Sequence, residues 1–210
     1  MNELFSIEDD NIFKCLDTTI QAHQTPPNFV WLYMRVSYGQ EQKVKDILQA
    51  EGIEVFHPRT IKMREINGAK KLVECSLIPN TLFVHSTIQE MRKYVGKYPT
   101  ETLHHFYEPY LDENRKPIGT GRRPIVIPDL QMQSFKIWAS SRDENKLFLD
   151  TAYFEFKKND LVRIIAGDFS GFIGHVVRIK GQSRVGILIK NVGFFSTTYV
   201  PKTLLQLVTE

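Results

Sequence analysis

The chain has 210 residues, a formal net charge of +3 and 42% hydrophobic residues, which suits one or two ordinary globular domains. No apolar run reaches transmembrane length, and the start Met1-Asn2-Glu3-Leu4-Phe5 lacks the basic-then-apolar order of a secretion signal. Cys15 and Cys75 are the only cysteines, too few for a disulfide framework or a zinc site, so the simplest setting is reducing and cytoplasmic.

Residues 1–27 read as a leader, with acids at Glu8, Asp9 and Asp10 and a short helical pattern around Ile12, Phe13, Leu16 and Ile20. Pro26-Pro27 then ends any helix. Phe29-Val30-Trp31-Leu32-Tyr33-Met34-Arg35-Val36 predicts a strand. Residues 40–51 place Val44, Ile47 and Leu48 on one helical face, and Gly52 supplies a left-handed cap. Ile53-Glu54-Val55-Phe56 is a second strand, stopped by Pro58. The charged residues 59–74 hold Asn67-Gly68 between two runs, the pattern of a β-hairpin. Residues 81–85 form a strand, and Thr87 caps a helix carrying Ile88, Met91 and Tyr94. Residues 103–110 give a strand interrupted by Pro109, and residues 112–124 are turn-rich and basic. Ile125-Val126-Ile127 is a short strand, followed by Asp129 as N-cap of a helix through Met132, Phe135, Ile137 and Trp138. The order describes an α+β domain over residues 28–138 with a mostly antiparallel sheet. Residues 139–155 form a polar linker, in which Leu147-Phe148-Leu149 is too apolar for a free tether.

The tail domain spans residues 156–210. Leu161, Val162, Ile164 and Ile165 give a short apolar strand, followed by a turn with Gly167, Gly171 and Gly174, where side chains have little room. Val176, Val177 and Ile179 form the return strand, Val185, Ile187 and Ile189 alternate, and Val200, Leu204, Leu205 and Leu207 finish the domain. Short strands with glycine turns and no helix pattern argue for a small barrel. From Lys157 onward there are eight Lys/Arg against three acids, whereas residues 1–156 hold nineteen against twenty-one. The tail therefore suits an approach to RNA or a ribosomal surface, and the front domain is no general nucleic-acid binder.

No catalytic constellation emerges. His104 and His105 are adjacent, so on a strand they point to opposite faces and cannot share a metal. His57, His85 and His175 sit in or beside apolar strands, where a hydrogen-bonded structural role is the commoner one. Cys75 lacks a base at a fixed spacing. The chain is expected to be no enzyme, with no cofactor and no metal. Gly119-Thr120-Gly121-Arg122-Arg123 has glycines and arginines suited to phosphate but neither a P-loop ending nor a dinucleotide fingerprint. Arg115, Lys116, Arg122 and Arg123 are the candidate nucleic-acid contacts. Leu77, Ile78 and Pro79, with Tyr33, form a candidate apolar partner surface. In the tail, Phe194 and Phe195 follow a turn near Asn191 and Gly193. Neighbours on a strand face opposite ways, so one is expected to be exposed, and Val192, Phe194 and Phe195 are the candidate partner contacts there.

Residues 158–179, Lys-Asn-Asp-Leu-Val-Arg-Ile-Ile-Ala-Gly-Asp-Phe-Ser-Gly-Phe-Ile-Gly-His-Val-Val-Arg-Ile, resemble the KOW motif of transcription elongation factors and some ribosomal proteins. Trp31-Leu32-Tyr33-Met34-Arg35-Val36, then Gly39-Gln40-Glu41-Gln42-Lys43-Val44, Gly52-Ile53-Glu54-Val55-Phe56-His57-Pro58 and Leu77-Ile78-Pro79-Asn80-Thr81-Leu82-Phe83-Val84, resemble the opening motifs of NusG-like transcription elongation and antitermination factors. The resemblance runs over residues 29–210. It implies a NusG N-terminal-like α+β domain with flanking helices, then a small SH3-like β-barrel carrying the KOW motif. It also implies a factor that binds the RNA polymerase elongation complex, meets nucleic acid within it, and suppresses pausing or premature termination. A ribosomal protein or another transcription factor is the implied partner of the tail, and no membrane is involved. Two departures stand out. The family's Pro-Gly-Tyr reads Pro79-Asn80-Thr81 here, where Asn80 can still take a left-handed turn, and a tail-loop aromatic of the family is Val192. Arg123-Pro124-Ile125-Val126-Ile127-Pro128-Asp129, with Met132 and Phe135, resembles UpxY-type antiterminators of Bacteroides capsular polysaccharide loci. The alternative is a ribosome- or RNA-binding KOW protein.

Overall fold

A computed structural model describes residues 29–114, 116–149 and 161–208. The leader, Arg115 and residues 150–160 at the end of the expected linker lie outside the described residues. The chain divides into two compact units, one of Gln24–Met132 and one that includes Gln133–Glu210; they are called the front and tail units below.

In the front unit the elements are β1 (Val30–Val36), α1 (Glu41–Ala50), β2 (Glu54–Phe56), β3 (Arg59–Ile66), β4 (Ala69–Ser76), β5 (Thr81–Ser86), α2 (Ile88–Met91), β6 (Leu103–His105), β7 (Tyr107–Leu111), β8 (Pro117–Pro124) and β9 (Val126–Ile127). The sheet runs β2-β5-β1-β6, with β9 also pairing β1, and every pairing is antiparallel. Alternation along β1 sends Leu32, Met34 and Val36 to one face. There they form a core with Val44 and Leu48 of α1, Met91 of α2, and Leu82, Val84 and Leu103 from neighbouring strands. The expected helix over 40–51 is therefore present, and Gly52 ends it at φ +78°. Thr87 caps α2 by accepting from the Glu90 N–H at 2.9 Å.

Two hairpins stand apart from that sheet, β3–β4 and β7–β8. The first turns on Asn67 (φ 53°) and Gly68 (φ 77°), the left-handed pair that a two-residue hairpin turn needs. The second replaces what reads in the sequence as a basic loop: the glycine-arginine run lies in β8. Pro109 sits opposite Arg122 in this two-stranded ribbon, where a missing N–H is tolerated because β7 has a free edge.

Helix α3 (Asp129–Ser140) begins in the front unit, and the division falls after its first turn. The tail unit continues with β10 (Leu147–Leu149), β11 (Leu161–Ile164), β12 (Ile173–Ile179), β13 (Gln182–Ile189), β14 (Gly193–Tyr199), a 3-10 turn (Lys202–Leu204) and β15 (Leu205–Leu207). These strands form one sheet ordered β10-β14-β13-β12-β11-β15. Its tight centre depends on Gly174, where a Cβ would lie 2.5 Å from the Gly186 carbonyl oxygen. One face packs Val177, Leu188 and Phe194 with Leu149 and Ile179. On the other, Phe195 stacks on Phe148 at 4.9 Å and meets Phe135 at 4.4 Å and Trp138 at 5.1 Å.

This helix cover is built by specific bonds as well as apolar area. Trp138 Nε1 donates to the Ser196 carbonyl at 2.8 Å. Ser134 Oγ donates to the Ile173 carbonyl at 2.9 Å and accepts from the Ile173 N–H at 3.0 Å. Lys146 Nζ donates to the Trp138 and Ser141 carbonyls at 2.8 and 2.6 Å, satisfying acceptors that the end of α3 leaves free. The sequence places this helix with the front domain and Leu147-Phe148-Leu149 in the linker. Packing instead groups Gln133 onward with the tail, and Leu147–Leu149 is a strand of its sheet. The physical reason is that Phe135 and Trp138 cover the face that presents Phe195.

Candidate functional site

The second face of the front sheet carries an aromatic row. Odd-numbered residues of β1 point this way, opposite the helices. Tyr33 stacks on Phe106 at 4.2 Å and on Phe83 at 5.4 Å, and Phe56 tilts against Phe83 at 6.3 Å. Trp31 stacks on His85 at 4.9 Å, with Phe29 at 5.8 Å from the same imidazole. Backbone bonds hold the row in place: the Phe106 N–H donates to the Tyr33 carbonyl, and the Tyr33 N–H to that of Ile125, both at 3.1 Å. Tyr33 is buried. It therefore belongs to this row and is not the exposed helper of Leu77 and Ile78 that the sequence suggests.

The turn before β5 is fixed by a buried carboxylate. Glu41, in the first turn of α1, is buried, and its Oε1 accepts from the Asn80 N–H at 2.9 Å and from Ser76 Oγ at 3.4 Å. A negative charge there also suits the helix N-terminus. The Asn80 carbonyl in turn accepts from the Val36 N–H at 2.9 Å, and the Leu77 N–H donates to the Pro58 carbonyl at 2.9 Å. Asn80 takes φ 59°, the left-handed conformation expected of it. Leu77 and Ile78 are half-buried, and Pro79 and Asn80 are exposed, so the turn presents a small apolar and proline edge.

His57 Nε2 lies 2.7 Å from Ser76 Oγ in the same cluster. Burial, reinforced by the Arg59 charge, holds the His57 pKa below its ordinary value and favours the neutral ring. A serine, a histidine and a glutamate together invite comparison with a hydrolytic triad, but the order of bonds is wrong. The carboxylate binds the serine and a backbone N–H, and His57 Nδ1 has no partner. A triad needs the acid on that nitrogen. The cluster braces the turn.

Of the four basic residues expected to face phosphate, the three that the structure describes have different surroundings. Arg115 lies outside the described residues. Lys116 closes the β7–β8 turn by its backbone, its N–H donating to Asp112 Oδ1 at 2.7 Å, and its side chain is exposed. Arg123 is bound by Glu108 through two contacts, at 2.8 and 2.9 Å. Arg122 is exposed and, as the next residue along β8, projects from the opposite face of the ribbon. Among the described residues of this hairpin, Lys116 and Arg122 are exposed cations outside the Arg123–Glu108 pair.

In the tail, Val192, Phe194 and Phe195 are all buried. The expected exposed aromatic is absent, although the reasoning about alternation holds: Phe194 and Phe195 do point to opposite faces. Both faces are covered, one by the core around Leu188 and the other by α3. His104 is exposed and His105 buried, as two neighbours on a strand should be. The described residues contain no group of three His, Cys, Asp or Glu able to hold a metal, and no described helix is long and apolar enough to cross a membrane. Sequence reasoning missed the aromatic row. Its signal is the period-two spacing of Trp31 and Tyr33 against Phe83 and His85, which reveals two apolar faces on one sheet.

The family model described as "Transcription termination factor nusG" matches residues 29–136, and the KOW motif matches residues 158–190. Among solved structures, a chain from "Domain interaction in Thermotoga maritima NusG" is 21% identical, with 86% of this chain and 98% of that one covered at a TM-score of 0.36. A chain from "Crystal Structure of MjSpt4:Spt5 complex conformation B" is 15% identical, with the same coverage of 86% and 98% and a TM-score of 0.25. No curated protein matches.

Proposed function

This chain belongs to the NusG family of transcription factors, and from that premise we propose that it is a non-enzymatic elongation and antitermination factor of RNA polymerase. The observation that carries this reading is the order of two matched modules in one chain, the NusG region over 29–136 and the KOW motif over 158–190. The front unit is the part that grips polymerase, using the edge formed by Leu77, Ile78 and Pro79. Lys116 and Arg122 on the neighbouring hairpin meet nucleic acid within the complex. No bond-making residue is required. A factor that binds the closed, moving polymerase better than the paused one shifts the equilibrium between them, and a difference of about 1.4 kcal/mol is tenfold. The stretch Arg123-Pro124-Ile125-Val126-Ile127-Pro128-Asp129 supports polysaccharide biosynthesis operons as the target genes.

The test is transcription of a long template bearing terminators from the gene's own neighbourhood. Added protein should raise read-through and shorten pauses. Ile78→Glu should abolish both effects while leaving the melting temperature nearly unchanged, because Ile78 is only half-buried. Unchanged read-through with the unmodified protein, together with recovery of ribosomes and not polymerase in a pull-down, would favour the ribosomal reading.

A further inference from the structure

The β3–β4 ribbon depends on its own cross-strand pairs. Among the described residues no third strand extends it, and a two-stranded ribbon by itself is marginal in water. Its base is anchored. Arg59 forms an ion pair with Glu74 at 3.3 Å, Arg59 Nη1 donates to Gln42 Oε1 at 3.2 Å, and the Leu77 N–H donates to the Pro58 carbonyl at 2.9 Å. Residues directly opposite one another share a face, and each strand alternates. The register pairs Arg59 with Ser76, Ile61 with Glu74, Met63 with Leu72 and Glu65 with Lys70. That face is electrically neutral, with two cations and two acids, and Ile61, Met63 and Leu72 form its apolar strip. The opposite face carries Lys62, Arg64 and Lys71, together with Cys75. Beyond the anchored base, the apolar pair of the neutral face is Met63 with Leu72, and Met63 is 63% exposed.

We propose that Met63 is a reversible oxidation site, at which hydrogen peroxide converts the thioether to a sulfoxide and so loosens the far half of the β3–β4 ribbon. In this step Sδ attacks one peroxide oxygen, the O–O bond breaks and an S–O bond forms. Sulfur loses two electrons, and the peroxide is reduced to water. Met34, Met91 and Met132 are 0% exposed, so among the described methionines Met63 alone offers its sulfur to a dissolved oxidant. A leucine would give the ribbon similar apolar cover; only the thioether adds this chemistry. The sulfoxide is polar, so it prefers water to the Leu72 side chain, and the cross-strand pair is lost. No core beneath the strip makes up for that loss, because Ile61 and Leu72 are exposed as well. The same exposure leaves the sulfoxide open to the reductases that restore methionine. This chemistry is independent of the polymerase reading and can be measured without polymerase.

The experiment treats the full chain with dilute hydrogen peroxide and follows each methionine by mass spectrometry of proteolytic peptides. Met63 should gain an oxygen atom at least about tenfold faster than Met34, Met91 and Met132. Amide hydrogen exchange of the oxidised chain should then be about two- to fivefold faster over residues 61–66 and 69–73, and unchanged in β1 and β5. Incubation with methionine sulfoxide reductases for both sulfoxide epimers should return exchange to its original rate. Met63→Leu, treated in the same way, should show no acceleration, which separates Met63 from oxidation of Cys75 on the neighbouring strand. Oxidation of Met63 no faster than that of the buried methionines, unchanged exchange in the ribbon once Met63 is oxidised, equal acceleration in Met63→Leu, or failure of the reductases to reverse the change would each overturn the proposal.

Discussion

The tail sheet and the front unit use similar residues to opposite ends. In the tail, adjacent aromatics Phe194 and Phe195 face opposite sides of one strand, and both sides are covered. In the front unit, helices cover one face of the sheet, while charged and apolar side chains are carried outward on two hairpins and on the turn before β5. The side of a strand that a residue occupies therefore does not tell whether that side meets solvent. The difference also separates two kinds of expected phenotype: losses of stability from the aromatic positions of the tail, and losses of binding from the exposed positions of the front.

The largest effect should come from Phe195→Ala. Phe195 is fully buried against Phe135, Phe148 and Trp138, and truncation should destabilise the tail by about 3–5 kcal/mol. Chemical denaturation followed by near-ultraviolet circular dichroism would measure it. A variant with unchanged stability but impaired function would break the comparison by making Phe195 a contact residue after all.

Next comes Glu41→Ala, which leaves the Asn80 N–H and Ser76 Oγ without their acceptor. A cost of about 1–3 kcal/mol is expected. The turn of Leu77 to Asn80 should loosen with it, so polymerase binding should fall even though Glu41 itself is buried. Hydrogen exchange at the Asn80 amide would report the loosening directly.

A smaller effect should appear with acid. Burial lowers the pKa of His57 and of His105 from the ordinary 6.5. The unfolded chain then takes up protons first as pH falls below about 6.5, so the folded front unit loses stability from there down to the depressed folded values. The contribution is complete above about 6.5, where both states are neutral. Melting temperature against pH should therefore decline less steeply for His57→Gln than for the unmodified chain between pH 7 and the lower folded value. Equal slopes would remove His57 from the account.

The smallest change in stability should separate Arg122 from Arg123. Arg123→Ala breaks an ion pair between an exposed arginine and the largely buried Glu108, expected to matter by about 1 kcal/mol, and should leave the salt dependence of complex binding alone. Arg122→Ala should flatten that dependence, since the register presents Arg122 without an acid opposite it. Equal slopes for the two would show that the hairpin's own pairing does not decide which arginine is available.

Much of the local structure is set by the sequence itself. Period-two patterns place β1 and β5, the 3.6-residue pattern and Gly52 place α1, Asn67-Gly68 places the β3–β4 turn, and Asn80 supplies the left-handed residue where the family carries glycine. These are short-range effects of backbone geometry and side-chain alternation, and they need no knowledge of distant residues. The order of the two modules is legible for the same reason. Which side chains stand opposite one another is settled by long-range packing. Helix α3 joins the tail because Phe135 and Trp138 meet Phe195, residues 60 and 57 positions away along the chain. Glu108 pairs with Arg123, and the β3–β4 register sorts five cations and two acids into a neutral face and a cationic one. Alternation gives a side chain its direction, but its surroundings come from strands and helices that the sequence brings together only on folding.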